Sequence, residues 1–214
     1  MRKLRQKKQH NQGRLKDSAG NLVASDERAQ TFAEYLQNIQ WAVRPALLID
    51  GAPLFSELTV QSGRVSLQEL RLAIEALRET KASGPDGHPL EFWKTVVGSS
   101  GHTSNEGTKW LLELCDKTML GKSVPDDWHV QQVALIFKKG DPADCGNYRP
   151  ICLLNAAYKI FAMVLLKRLL QAGADERVSP TQFGFRQKRS TENALHCARR
   201  AIDRANADRG GCLH

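Results

Sequence analysis

Residues 130–154, VQQVALIFKKGDPADCGNYRPICLL, restrict the folds open to this chain more than any other stretch. Two runs rich in residues that favour extended backbone, Val133 to Phe137 and Ile151 to Leu154, are separated by turn formers: Gly140, Asp141-Pro142 and Cys145-Gly146-Asn147. That order predicts a small antiparallel β-hairpin. Lys138, Lys139 and Arg149 fall at the connection, where a hairpin can direct several positive charges at one point. Adjacent strand residues face opposite ways, so Lys139 is a weaker candidate than Lys138 for the same target. The arginine fork grips phosphate oxygens in a way that a point charge cannot, and a polyphosphate is the natural occupant of such a place.

Around this hairpin the chain reads as helices, which makes the expected class α+β and helix-rich. Between Asp26 and Trp41, Phe32, Leu36 and Ile39 recur at the spacing of one helical face, predicting an amphipathic helix packed through those three. Residues 44–63 hold two prolines and two glycines without a period, as a linker would. Ser66-Leu67-Gln68-Glu69 is a capping box, and Leu70, Ile74 and Leu77 extend a helix to about Glu79. The loop Lys81 to Gly87 lacks the order of a nucleotide P-loop and a preceding strand. Pro89 opens a helix through Val97, with Leu90, Trp93 and Val97 on one side; Trp110, Leu111, Leu114 and Met119 mark the next, closed by Gly121.

Beyond the hairpin, Asn155 can cap a helix to about Ala172 that turns Ala157, Phe161, Val164 and Leu165 inward, with Lys159, Lys167 and Arg168 along it, some as solvent-facing charges. Ser190 or Thr191 caps a last helix with Leu195, Ala198, Ile202 and Ala205 on its buried stripe. Before that helix, Gly184 stands between Phe183 and Phe185, and Arg186, Lys188 and Arg189 follow at once. Rings interleaved with cations suit a nucleic-acid strand, where a base or sugar packs on the ring and the phosphate meets the charge. The same residues also fit two core phenylalanines with solvated cations, and the triplet alone leaves both readings open.

The net charge of +8 favours an anionic partner such as nucleic acid. Residues 1–16 carry seven Lys or Arg and no acid, which reads as a solvated arm, with nuclear import or nucleic-acid binding as the functional alternative. The five cysteines form no Cys-x-x-Cys pair and are not grouped with histidines at zinc-ligand spacing, so reduced thiols are expected. No apolar run approaches a membrane span and no secretory signal is present, so the expected location is intracellular, nuclear or cytoplasmic.

Several of these stretches carry a family resemblance. ALIFKKGDPADCGNYRPICLLNAAYKIFAMVLLKRL followed by SPTQFGFRQKRSTENAL resembles the fingers and early palm of reverse transcriptases from non-LTR (LINE-type) retrotransposons. SLQELRLAIEALRETKASGPDGHPLEFWK and SVPDDWHVQQVALIFKKGD are similar to the segments that precede those motifs in the same family. The resemblance implies the fingers and partial palm of a right-hand polymerase over residues 65–214, preceded by a disordered basic arm over 1–24 and a helix with linker over 25–64. It implies RNA-directed DNA polymerase chemistry, with RNA template, DNA primer and deoxynucleoside triphosphates as partners and Mg²⁺ as cofactor of the complete enzyme. Lys138, Arg149, Gln182, Phe185 and Arg186 match the nucleotide-binding positions; Lys139, Gly184, Lys188 and Arg189 match nucleic-acid-binding ones.

Asp126-Asp127 lies in the segment that leads into the first strand, so it matches capping or solvated carboxylates rather than metal ligands. The metal-binding aspartates of relatives lie beyond the matched motifs; no residue here is assigned as catalytic or metal-binding, and the isolated chain is expected to bind nucleic acid without polymerising. The alternatives are a stand-alone nucleic-acid-binding module, a non-functional remnant of a retroelement, and a group II intron-type reverse transcriptase or maturase. The Gly84-Pro85-Asp86-Gly87 loop and its spacing into Asn147-Tyr148-Arg149-Pro150-Ile151 favour the LINE-type reading over the last.

Overall fold

In the computed structural model, which describes residues 15–43, 57–98 and 105–210, the two β-prone runs pair as an antiparallel hairpin of β1 (Gln132–Phe137) and β2 (Tyr148–Leu153). β2 begins at Tyr148 rather than at Ile151, so Tyr148, Arg149 and Pro150 pair with Phe137, Ile136 and Leu135. Pro150 is tolerated because each strand of a two-stranded sheet keeps one open edge. Helices make up most of the rest: α1 (Arg28–Tyr35), α2 (Leu67–Ala76), α3 (Leu90–Gly98), α4 (Glu106–Met119), α5 (Ala156–Gln171), α6 (Ala174–Arg177) and α7 (Thr191–Gly210). The described residues fall into two units, 15–43, 80–92 and 125–158 in the first, and 57–79, 93–98, 105–124 and 159–210 in the second.

The first unit is built on the inner face of the hairpin. Leu15, Phe32, Cys145 and Tyr148 form a buried cluster, with Val23, Tyr35, Leu135 and Phe137 packed against it. The Tyr148 ring meets Phe32 edge-on at 5.0 Å and Phe137 at 5.3 Å, and its hydroxyl donates to the Pro142 carbonyl at 2.8 Å. The ring's apolar body is thereby buried while its polar tip is satisfied. The basic arm expected over residues 1–24 is shorter than that at its described end: Leu15 is fully buried, Lys16 bridges Leu22, and the Asp17 carboxylate accepts the Ala19 and Asn21 amides across the turn. The six cations before Leu15 lie outside the described residues.

The helix expected from Asp26 to Trp41 is interrupted. After α1 the chain widens into a π-turn over Leu36–Gln40, closed by the Trp41 amide donating to the Leu36 carbonyl at 2.7 Å. Phe32 and Leu36 are buried as expected, but Ile39 is 55% exposed. A π-turn holds more residues than an α-turn, which rotates Ile39 away from the stripe that a 3.6-residue period assigns to it.

In the second unit, the capping box forms as read: the Ser66 hydroxyl accepts the Glu69 amide at 3.2 Å and the Glu69 carboxylate accepts the Ser66 amide at 2.8 Å. α2 stops at Ala76, short of Glu79, because Leu77 turns to extended backbone. Leu70, Ala73, Ile74, Trp93, Val97, Leu111, Cys115, Ile160 and Val164 supply its buried apolar surface. Burial pushes the Cys115 thiol up to about 12, so it stays protonated and inert. The last helix departs from expectation: Leu195 and Ile202 are 58% and 60% exposed. An apolar period marks a face suited to burial, but burial needs a second surface, and the described residues bring none to this face of α7.

Candidate nucleotide and nucleic-acid site

Pairing along the hairpin decides which residues share its outer face. Ile136 sits opposite Arg149 and Ala134 opposite Ile151, and the ladder runs one step further through the Lys138 amide, which donates to the Asn147 carbonyl at 2.8 Å. Alternation therefore puts Ala134, Ile136, Lys138, Arg149 and Ile151 on the face away from Phe137 and Tyr148. Ile136 and Ile151 are 53% and 41% exposed, and Arg149 is exposed without a hydrogen bond or ion pair among the described residues. The Lys138 ammonium donates to the Gly146 carbonyl at 3.1 Å, which steadies it over the loop. Lys139 is exposed in the bend that follows the strand.

The connecting loop is braced from within. Asp141 accepts the Ala143 amide at 2.9 Å, Asp144 accepts the Gly146 amide at 2.8 Å, and the Asn147 side chain donates to the Asp141 carbonyl at 3.0 Å. The Ala143 amide, with Lys16 at 3.0 Å, holds the Asp141 carboxyl below its ordinary range. Gly140 turns the chain at φ +99°, and a Cβ there would lie 2.8 Å from Asn147 Nδ2. Behind the strands, Gly84 lets backbone approach backbone: a Cβ on it would stand 2.5 Å from the Asn155 nitrogen. Asn155 is buried and bridges the Asp86 amide and the Asp127 carbonyl, the second residue of the paired aspartates, which lie in a short 3₁₀ turn.

The second motif spends its charges differently. Arg186 donates through Nε and Nη2 to both oxygens of the Asp175 carboxylate, each at 3.0 Å. It also donates to the carbonyls of Asp175 at 2.8 Å, Ser179 at 3.1 Å and Val178 at 3.4 Å. All three guanidinium nitrogens are thus engaged, and Arg186 holds the Asp175 carboxyl below its ordinary value. Next to this clamp Phe185 adopts φ +61° with its side chain wholly exposed, and Lys188 adopts φ +58°. A left-handed backbone costs a residue with a Cβ about 1–2 kcal/mol. Gln182 is turned onto the Gly184 carbonyl at 3.1 Å, and the Arg189 guanidinium lies 5.7 Å from the centre of the Phe183 ring. A Ser190–Asn193 reciprocal cap then starts α7.

Lys138, Lys139 and Arg149 thus belong to the first unit, and Gln182, Gly184, Phe185, Arg186, Lys188 and Arg189 to the second. Sequence reasoning missed one residue of consequence, Arg168. Its side chain is 1% exposed and donates to both Glu69 oxygens and to the carbonyls of Gln61, Gly63 and Arg64. The guanidinium draws the Glu69 carboxyl from 4.5 down to about 2. The signal was its register: Arg168 continues the i, i+4 series of the buried Ile160 and Val164, and an arginine on a buried stripe must be paired.

Among the described residues, no three His, Cys, Asp or Glu side chains converge to hold a metal ion, and no helix is long and apolar enough to cross a membrane. Residues 136–211, from the outer face of β1 to the end of α7, match the family of the reverse transcriptase (RNA-dependent DNA polymerase). A Drosophila melanogaster protein described as a probable RNA-directed DNA polymerase from transposon BS is 33% identical over 202 residues, which is 90% of this chain and 22% of that protein. A retrovirus-related Pol polyprotein from the type-1 retrotransposable element R1 of Bradysia coprophila is 30% identical over 141 residues, 65% of this chain and 13% of that one. The transposon TX1 uncharacterized 149 kDa protein of Xenopus laevis is 31% identical over 137 residues, 63% of this chain and 10% of that one. The chain therefore spans between 10% and 22% of the length of these three relatives. It belongs to the reverse transcriptase family. Within that family it groups with the reverse transcriptases of non-LTR retrotransposons.

Proposed function

We propose that this chain supplies the fingers and the edge of the palm of a right-hand polymerase that copies RNA into DNA. In this reading Lys138 and Arg149 engage the triphosphate of the incoming deoxynucleotide, and the loop 182–189 meets the template strand. The observation that carries it is the hairpin: one face is locked into a core by Tyr148 and Phe137, while the other presents Lys138 and Arg149 together beside the exposed Ile136. Phosphoryl transfer asks little covalent chemistry of the protein, so cations set in advance on the phosphate oxygens, in a braced loop, are a direct contribution to catalysis. The aliphatic surface beside them suits the apolar part of a nucleotide. Divalent Mg²⁺ is the cofactor proposed for the complete polymerase, where it would activate the primer hydroxyl and clamp the triphosphate; its carboxylate ligands are not gathered by the residues described.

Equilibrium binding of a labelled single-stranded RNA across a salt series tests the nucleic-acid half of this reading. The affinity is expected to fall linearly with salt on logarithmic axes, and Lys188→Ala to lower the slope by about 0.7 for one lost phosphate contact. Binding that ignores salt, or no binding at low salt, would refute it.

A further inference from the structure

We propose that Asp175 is a positioning residue for nucleic-acid contact: by latching Arg186 it holds the Gly184-Phe185 turn in the form that presents the Phe185 ring to an unpaired base. This rests on reading the loop 182–189 as a nucleic-acid contact. The argument begins with an outlier. Phe185 keeps a left-handed backbone that bulky residues avoid, and its ring gains no burial in return. Such a conformation persists only where neighbouring contacts over-determine it. The neighbour that does so is Arg186, whose fork spans the Asp175 carboxylate and the carbonyls of Asp175, Val178 and Ser179. These bonds tie the loop to the end of α6, and they leave Arg186 no open donor edge for a phosphate. Arg186 is therefore the fastening of this loop, and Phe185 its contact.

The partner follows from chemistry. A flat, fully exposed ring offers a π-face to another π-face, and base faces are open only where a strand is unpaired. Lys188, exposed at its own left-handed turn, and the exposed Arg189 follow within the same loop and can meet the phosphates on either side of a stacked base. The ligand class is single-stranded nucleic acid, bound by stacking without base-edge readout.

The test uses the full chain with Asp175→Asn, Phe185→Ala and the double variant. Two measurements are made: the rate of trypsin cleavage after Arg186, followed by mass spectrometry, and the affinity for a short fluorescein-labelled single-stranded RNA. Asp175→Asn is expected to speed cleavage after Arg186 and to weaken RNA binding about ten-fold, as Phe185→Ala does, with the double variant no weaker than Phe185→Ala alone. Arg186→Lys, which keeps the charge but not the fork, is expected to resemble Asp175→Asn; full affinity in that variant would mean that charge alone is required and would overturn the latch. Unchanged cleavage in Asp175→Asn, or an affinity equal to wild type while Phe185→Ala is weakened, would also overturn it. Undiminished binding by Phe185→Ala would instead remove the nucleic-acid reading of the loop, and the cleavage rate would still decide whether Asp175 holds it.

Discussion

The 138–149 connection and the 175–189 segment carry the same kinds of residue and put them to opposite uses. In the first, acids and amides brace the loop among themselves, through Asp141, Asp144 and Asn147, and the Arg149 guanidinium is left open. In the second, the arginine itself is the brace, and an aromatic ring is left open. Arg168 is the extreme case of the second pattern, a guanidinium consumed inside its own unit. Counting cations in a loop therefore does not say which of them meet a ligand. What decides it is where the neighbouring acceptors stand, because a buried or half-buried guanidinium has to find partners before it can offer any donor outward.

Substitutions that separate the two uses sharpen this contrast. Arg168→Met, which strands the Glu69 carboxylate and three carbonyls, is expected to lower stability by about 3–5 kcal/mol in urea unfolding. The same pair gives a pH signature. Glu69 is held at about 2 against an ordinary 4.5, so its contribution is complete above pH 4.5 and is lost as the pH falls towards 2. The expected loss is about 3 kcal/mol across that window, and Arg168→Met should flatten the profile. Gly84→Ala drives a methyl to 2.5 Å from the Asn155 backbone nitrogen and should cost about 1–3 kcal/mol by thermal unfolding.

Smaller effects divide the two loops more finely. Phe185→Gly relieves the left-handed strain and is expected to raise stability by about 1 kcal/mol while weakening RNA binding, opposite signs that a residue kept for packing would not show. Arg149→Ala should leave stability within about 0.5 kcal/mol, as befits an exposed side chain with no partner among the described residues. A destabilisation of the size expected for Arg168→Met would place Arg149 in the bracing class and dissolve the contrast.

Local chemistry made much of this legible in the sequence. The Ser66–Glu69 box and the Ser190 cap each depend on residues a few positions apart and form where the sequence indicates, and the expected hairpin forms with its second strand starting earlier. The open face of the hairpin follows from period-two alternation once the register is known, yet the start of the second strand differs from the expected Ile151: β2 starts at Tyr148 because the Tyr148 ring is anchored on Phe32, a contact between distant residues. Ile39 escapes its stripe through a π-turn that no periodicity announces. The pairing of Arg168 with Glu69 and of Arg186 with Asp175 could not be read at all from composition, since each depends on which segments meet in three dimensions. The exposed stripe of α7 shows the limit from the other side, an apolar period with no covering surface among the described residues.

The most direct test of the central claim is a titration of the isotope-labelled chain with a deoxynucleoside triphosphate, followed by NMR through the backbone of β1 and β2 and the Arg149 guanidinium. The account predicts that Lys138, Arg149 and Ile136 shift together, that the core side chains of Phe137 and Tyr148 stay in place, and that Arg149→Ala weakens the interaction about ten-fold or more. Shifts confined to other surfaces, or an undiminished affinity in Arg149→Ala, would contradict it.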